Sequence, residues 1–182
     1  IDVSYVLNLV NFHSVDFLGM ASGEARIAGA FSEKPLLSAD VIVKDFKFET
    51  GRMGTLYANV GYNHEEGNIE INAVAKDEDN RWTDINGYVS PKHNYIDLAI
   101  DAHRTRAEFM ESFCGSFMDN VNADINGNVN VVGPLNNINL VGKAVVDGSV
   151  RLSALNTTYW MRGDSVTFVP DEIKFKGDTL YD

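Results

Sequence analysis

Apolar and polar residues alternate with a period of two along most of the chain, the signature of strands with one buried and one wet face. The clearest run is Val121 to Gly133. Its odd positions read Val121, Ala123, Ile125, Gly127, Val129, Val131 and Gly133, and its even positions read Asn122, Asp124, Asn126, Asn128 and Asn130, with Val132 the one apolar exception. A helix would scatter these residues over all its faces, whereas a strand separates them. Further along, Leu140, Gly142, Ala144, Val146, Gly148, Val150 and Leu152 oppose Asn139, Lys143, Asp147, Ser149 and Arg151. Leu56, Ala58, Val60 and Tyr62 alternate with Thr55, Asn59 and Asn63; Ile69, Ile71, Ala73 and Ala75 with Asn68, Glu70 and Asn72; Ile96, Leu98 and Ile100 with Tyr95, Asp97 and Asp101. Ala25, Ile27 and Phe31 face away from Glu24 and Arg26, and Val3, Tyr5, Leu7 and Leu9 repeat the pattern near the start.

Turn residues separate these runs. His64-Glu65-Glu66-Gly67 and Lys76-Asp77-Glu78-Asp79-Asn80 fit hairpin loops, and Gly133-Pro134-Leu135-Asn136-Asn137 breaks the chain. In Leu37 to Phe48 the phase slips: Ala39, Val41 and Val43 are odd, Phe46 and Phe48 even. One extra residue, a bulge at Asp45, accounts for the slip. A single segment leaves the β rhythm. Thr105 to Met118 carries Phe109, Met110, Phe113 and Phe117 at helical spacing, which predicts a short amphipathic helix plugging open core. A partner-binding helix is the other use of such a face.

The strands also repeat at larger scale. Asp84-Ile-Asn-Gly-Tyr-Val matches Asp124-Ile-Asn-Gly-Asn-Val at five of six positions, 124 − 84 = 40 residues on. Gly23–Gly29 and Gly127–Gly133 share a small-x-apolar-x-apolar-x-Gly frame, 127 − 23 = 104 residues apart. Repeats of this kind suggest a stacked, quasi-one-dimensional sheet.

Charge narrows the partners. The 182 residues hold 26 Asp and Glu against 15 Lys and Arg, so 15 − 26 = −11 at pH 7. That balance excludes nucleic acid and charge-driven docking on an anionic membrane. Apolar residues make up 45%, too many for a disordered acidic tail. No run of roughly 18 apolar residues offers a transmembrane helix. Cys114 is the only cysteine and cannot close an intramolecular disulfide. The chain starts Ile1-Asp2-Val3 without Met and stops in mid-pattern at Tyr181-Asp182, so it reads as a segment of something longer, with any anchor or targeting signal outside it.

Catalytic and metal signatures are weak. The histidines are His13, His64, His93 and His103. Asp101-Ala102-His103 puts two ligands on one strand face, but no third has a telling spacing, so no metal and no other cofactor is expected. Asp77-Glu78-Asp79-Asn80 hints at calcium yet lacks the glycine and glutamate of a calcium loop. Ser112 has no nucleophile elbow, and Cys114 beside Phe113 reads as a small buried hydrophobe. Most carboxylates alternate with aliphatics and so belong to an outer strand face rather than a cleft. The chain is not expected to be an enzyme.

The run Asp124-Ile-Asn-Gly-Asn-Val-Asn-Val-Val-Gly-Pro-Leu-Asn-Asn-Ile-Asn-Leu-Val-Gly-Lys-Ala-Val-Val resembles the repeat of TamB-like proteins, envelope proteins of the translocation and assembly module within the AsmA-like group. Val150-Arg-Leu-Ser-Ala-Leu-Asn-Thr-Thr-Tyr-Trp-Met, then Asp164-Ser-Val-Thr-Phe and Ile173-Lys-Phe, extend the likeness, which covers the chain from about Gly23 onward. The resemblance implies an all-β fold with one short helix: a long antiparallel sheet curled into a U-shaped trough, a β-taco with an apolar inside. It implies a periplasmic segment of a lipid conduit or outer-membrane assembly protein of Gram-negative bacteria. Its partners would be lipid acyl chains, neighbouring repeats of the full chain and an outer-membrane barrel protein, and its membrane anchor would lie elsewhere.

Physical reasoning leads to the same expectation. A sheet with one apolar face must hide it, in a sandwich, a barrel or a trough. A trough ~10 Å across suits an acyl chain. The small inner residues Ala73, Ala75, Gly127, Gly142, Ala144 and Gly148 would leave it room. The expected groove lining is Ile27, Val41, Val43, Leu56, Val60, Ile69, Ile71, Ile96, Leu98, Ile100, Ile125, Val129, Val131, Leu140, Ala144 and Val146, with Phe109, Met110, Phe113 and Phe117 as helix plug. Cut sheet edges are expected to self-associate. The alternatives are a β-sandwich or solenoid that binds carbohydrate or mediates adhesion, with Trp82 and Tyr88 stacking on sugars, and a hydrolase on a β scaffold.

Overall fold

Every alternating run that falls within the described residues is a strand. A computed structural model describes residues 16–29, 36–78, 80–170 and 172–176; of Phe113, Cys114, Ile173 and Phe175 it describes the backbone alone. The run at Val3–Leu9, Phe31 and His13 lie outside the described residues, as does Asp79 of the calcium-like loop. The strands are β1 (Phe17–Ala28), β2 (Leu36–Phe48), β3 (Gly51–Asn63), β4 (Asn68–Asp77), β5 (Arg81–Ser90), β6 (Tyr95–Arg106), β7 (Met118–Pro134), β8 (Asn139–Leu152), β9 (Thr157–Val169) and β10 (Glu172–Lys176). Among the described residues they form one antiparallel meander in sequence order, running from β1 to β10. The sheet is curled but not closed into a barrel, an open U-shaped trough with its apolar face inside.

Bulges do the curling. The pairing shifts between Leu18 and Met20 in β1, at Asp45 in β2, between Ala102 and Thr105 in β6, between Asp119 and Asn122 in β7, and opposite Val146 and Asp147 in β9. Asp45, Arg104 and Asn120 take the left-handed conformation there, at φ of 52°, 52° and 49°. An extra residue on one strand bends it and raises its twist. The shifts lie in the half of the sheet nearest the β6–β7 connection, so that half coils most tightly. The Asp45 bulge is where the sequence phase slips, and it turns both Val43 and Phe46 inward, each 3% exposed.

The glycines play a different part from the one expected. They do not widen the trough; they let neighbouring strands approach closely. Gly87 and Gly127 occupy the same place in the 40-residue repeat and share a φ of 147°. A Cβ on Gly87 would strike the carbonyl oxygen of Asp97, and one on Gly127 that of Lys143.

The helix is shorter than its sequence spacing suggests. Only Met110–Cys114 is helical (α1). Thr105 and Arg106 stay in the sheet because they pair with Ile125 and Asp124, and Met118 already pairs with Leu152 in β7. Phe109 and Met110 do pack into the core, Met110 at 5% exposed. Phe117 does not: it sits in the turn after α1, beyond the reach of the core, and is 42% exposed. Phe113 has its side chain outside the description.

Glycine positions test this account. Gly127→Ala should lower the free energy of unfolding by about 2 kcal/mol, from backbone strain plus collision. Gly61→Ala, whose Cβ meets open space, should change it by less than about 0.5 kcal/mol. Urea denaturation of both variants measures the difference.

Candidate functional site

The inner face provides the site. Where the sheet coils most, the hairpin of β1 and β2 folds over β6 and β7. Phe17 and Phe48 pack against the buried cluster of Ile96, Leu98, Val131 and Leu135. Phe17 stacks on Phe46 at 6.2 Å and lies 5.3 Å from Phe48, whose ring meets Phe109 at 5.4 Å. These rings roof a cavity of about 90 Å³. Its floor is Ile85, Leu98, Ile100, Ile125, Val129, Val131 and Leu140, and Met53 and Phe168 flank it. Thr83 and Thr105 also line it, and their hydroxyls hydrogen-bond to each other at 2.6 Å. A lining so largely apolar disfavours water.

The expected lining is therefore divided. Leu98, Ile100, Ile125, Val129, Val131 and Leu140 line the cavity. Ala144 and Val146 are buried in the cluster of β7, β8 and β9, Val43 in a cluster with Phe46, Met53 and Ala75, and Ile96 beside Leu98. Val41, Leu56, Val60, Ile69 and Ile71 are half-buried on the inner face. Ile27 is not enclosed, at 63% exposed. Phe17, Phe46, Phe48, Met53, Thr83, Thr105 and Phe168 were not foreseen as lining. The phase slip at Asp45 was the signal for Phe46 and Phe48; nothing local marks the others.

Exposure of the inner face follows a gradient. One row runs across the sheet through Ile27, Leu37, Tyr62, Ile69, Val89 and Ile96, paired strand by strand. Ile96 is 1% exposed, Tyr62 37%, Leu37 44% and Ile27 63%. The trough thus opens toward β1 at the end away from α1, leaving a contiguous apolar strip in water.

Polar ties hold the narrow end shut. Asp77 on β4 reaches Arg106 on β6 at 2.7 Å and Arg52 on β3 at 3.5 Å, and Arg81 on β5 reaches Asp124 on β7 at 3.1 Å. Each tie skips or bridges strands and so fixes their curvature. The β2–β3 turn is fastened to the α1 segment, with Thr50 Oγ1 donating to the Glu108 carbonyl (3.3 Å) and the Arg52 N–H to Glu108 Oε2 (3.3 Å). The Asp77 side chain is 8% exposed. Its burial by itself pushes the carboxyl up, but the hydrogen bond from Arg106, the Glu78 backbone and the charge of Arg52 outweigh it and hold the pKa below the ordinary 3.8.

On the outer face, His103 Nε2 lies 3.3 Å from Asp101 Oδ2, and the imidazole stacks on Trp82 at 4.4 Å. The sheet also supplies what the sequence spacing did not show. Asp84 on β5 pairs directly with Asp101 on β6, so three metal-ligating groups meet on one face. Tyr159 and Trp160 point to opposite faces as expected, with Tyr159 against the core and Trp160 52% exposed.

The fold defines a class, an open curled antiparallel meander with an apolar trough. Compared with known proteins, the chain matches no family model, no curated protein and no solved structure.

The ion ties carry a pH prediction. A carboxyl whose folded pKa is depressed adds stability above its unfolded pKa and loses it as pH falls through the folded value. Asp77→Asn should therefore cost about 2 kcal/mol at pH 7, since it leaves Arg106 without its anion. The gap to wild type should shrink as pH drops below about 4, as read by urea midpoints at pH 7 and pH 3.

Proposed function

We propose that this chain is a non-enzymatic segment of a cell-envelope lipid conduit, or of an outer-membrane assembly protein, and that it holds acyl chains in its trough. The observation that carries this reading is the exposure gradient. Beside the apolar cavity, the inner face carries a paired apolar row from buried Ile96 to the solvent-exposed Tyr62, Leu37 and Ile27. A self-sufficient core would cover that strip; a surface that takes an apolar guest leaves it open. The likeness of Asp124–Val146 and of the segments after it to TamB-like repeats supports the same reading, together with a periplasmic setting and an anchor elsewhere in a longer chain.

The cavity sets the scale of binding. About 90 Å³ is less than the ~150 Å³ that accommodates benzene in an apolar protein cavity. The closed end therefore takes a short stretch of one chain, and the rest of the chain lies along the open strip. Each methylene removed from water contributes about 0.8 kcal/mol, so a few methylenes at each end of the trough suffice for useful and still reversible affinity. Neighbouring repeats, a second copy or an outer-membrane barrel partner would join the sheet by adding strands in edge-to-edge pairing.

The carbohydrate reading is less well supported. Trp82 has one face covered by His103 at 4.4 Å, which removes part of the platform that a sugar would stack on.

Photocrosslinking residues at Val129 and Val131 should capture lipid in cells, while the same residue at outward Asn128 and Asn130 should not. Val129→Arg should abolish lipid co-purification, scored by mass spectrometry, with the far-ultraviolet circular dichroism unchanged. Equal capture from the outward positions would refute the proposal.

A further inference from the structure

We infer that Asp84, Asp101 and His103 form a divalent-cation site on the outer, polar face of the sheet. Three features of the fold converge on it. Asp101 and His103 are two residues apart on β6 and so project from the same face. Asp84 stands directly opposite Asp101 on β5, in register. One ligand atom from each side chain lies within 4.8 Å of the other two. Two ligands along one strand and a third from its neighbour form a three-point facial set, which leaves the opposite half of a cation's coordination sphere open to water or to another ligand.

The electrostatics of the cluster point the same way. Like charges directly opposite each other on adjacent strands are destabilising. Two buried or half-buried carboxylates on this sheet meet arginines: Asp77 has Arg52 and Arg106, and Asp124 has Arg81 and Arg104. Among the described residues, the Asp84 carboxylate has no hydrogen-bond or ion-pair partner, and the Asp101 carboxylate has only His103. A divalent cation is the missing countercharge for this pair.

The histidine is already positioned for the role. Trp82 stacks on the imidazole at 4.4 Å with 21° between the planes, which restrains the ring, and Nε2 is turned toward Asp101. In a facial or tetrahedral set, metal bonds of about 2.0–2.2 Å place ligand atoms about 3.0–3.5 Å apart. His103 Nε2 and Asp101 Oδ2, at 3.3 Å, already have that spacing, and the Asp84 carboxylate, within 4.8 Å of both, needs to draw in by up to roughly 1.5 Å, within reach of side-chain rotation. One imidazole and two carboxylates suit Zn²⁺, Co²⁺ or Ni²⁺ better than Ca²⁺, which prefers oxygen alone. The site is on the face opposite the trough and stands independently of the lipid reading.

Trp82 makes the site observable. Co²⁺ should quench its fluorescence on binding, and the second tryptophan, Trp160, lies on β9, with β7 and β8 between it and β6. The experiment uses the tag-free 182-residue chain carrying Trp160→Phe, titrated with Co²⁺ and then with Zn²⁺. Expected are saturable quenching at one Co²⁺ per chain, reversal by Zn²⁺, and at least tenfold weaker binding in Asp84→Asn and in His103→Gln. Asp97→Asn, on the same outer face, should leave binding unchanged. Circular dichroism confirms that each variant is folded, and Asp101→Asn replaces any that is not. Non-saturable quenching, or wild-type affinity in the Asp84 and His103 variants, would overturn the assignment.

Discussion

Among the described residues, a ten-stranded sheet with one apolar and one polar face has one five-residue helix against it, and it buries its apolar side chiefly against itself. That constraint shapes the rest of the molecule. Flat sheets do not fold over; they need local excess length and twist, and the bulges at Asp45, Arg104 and Asn120 provide both. Closely approaching backbones at Gly87 and Gly127 tighten the coil further. The result is asymmetric. The half with the bulges closes over an apolar cavity, and the half without them is the more open.

The closed half is held by two kinds of contact acting at different places. Aromatic rings from β1, β2 and the α1 segment interlock across the trough, where they exclude water and where burial of large side chains is worth most. Ion pairs and hydrogen bonds sit around the rim, linking strands that are not neighbours. Rim charges alone would contribute little in water. Asp77 matters because it is enclosed with Arg106 and keeps its charge there. In the open half the inner row is buried at Ile96 and most exposed at Tyr62, Leu37 and Ile27. The trough is thus closed at one end and accessible at the other.

Much of this was legible in the chain. Alternation identifies β7, β8, β4 and the outer halves of their neighbours almost residue by residue, because a half-buried strand cannot be written any other way. The phase slip at Leu37–Phe48 reveals its bulge, since an inserted residue exchanges the two faces. The bulges at Arg104 and Asn120 were hidden beneath the helical spacing of Phe109, Met110, Phe113 and Phe117, which stretched the apparent helix to Thr105–Met118. Backbone pairing of Thr105 with Ile125 and of Met118 with Leu152 outweighed that local spacing. The third ligand of the outer cluster was equally hidden, because Asp84 is adjacent to Asp101 only through the register of β5 against β6.

By itself, then, the sequence determined which residues form strands, which side of each strand is apolar, and that the charge of −11 lies mainly on the other side. Those are local properties, decided by period and side-chain chemistry. The tertiary structure decided how far the sheet curls, which apolar residues are enclosed and which remain in water, and which side chains from different strands meet. Inward-facing Ile27 and inward-facing Ile96 look alike in the chain, and they differ because Ile96 packs into a cluster with Leu98, Val131 and Leu135 while Ile27 stays 63% exposed.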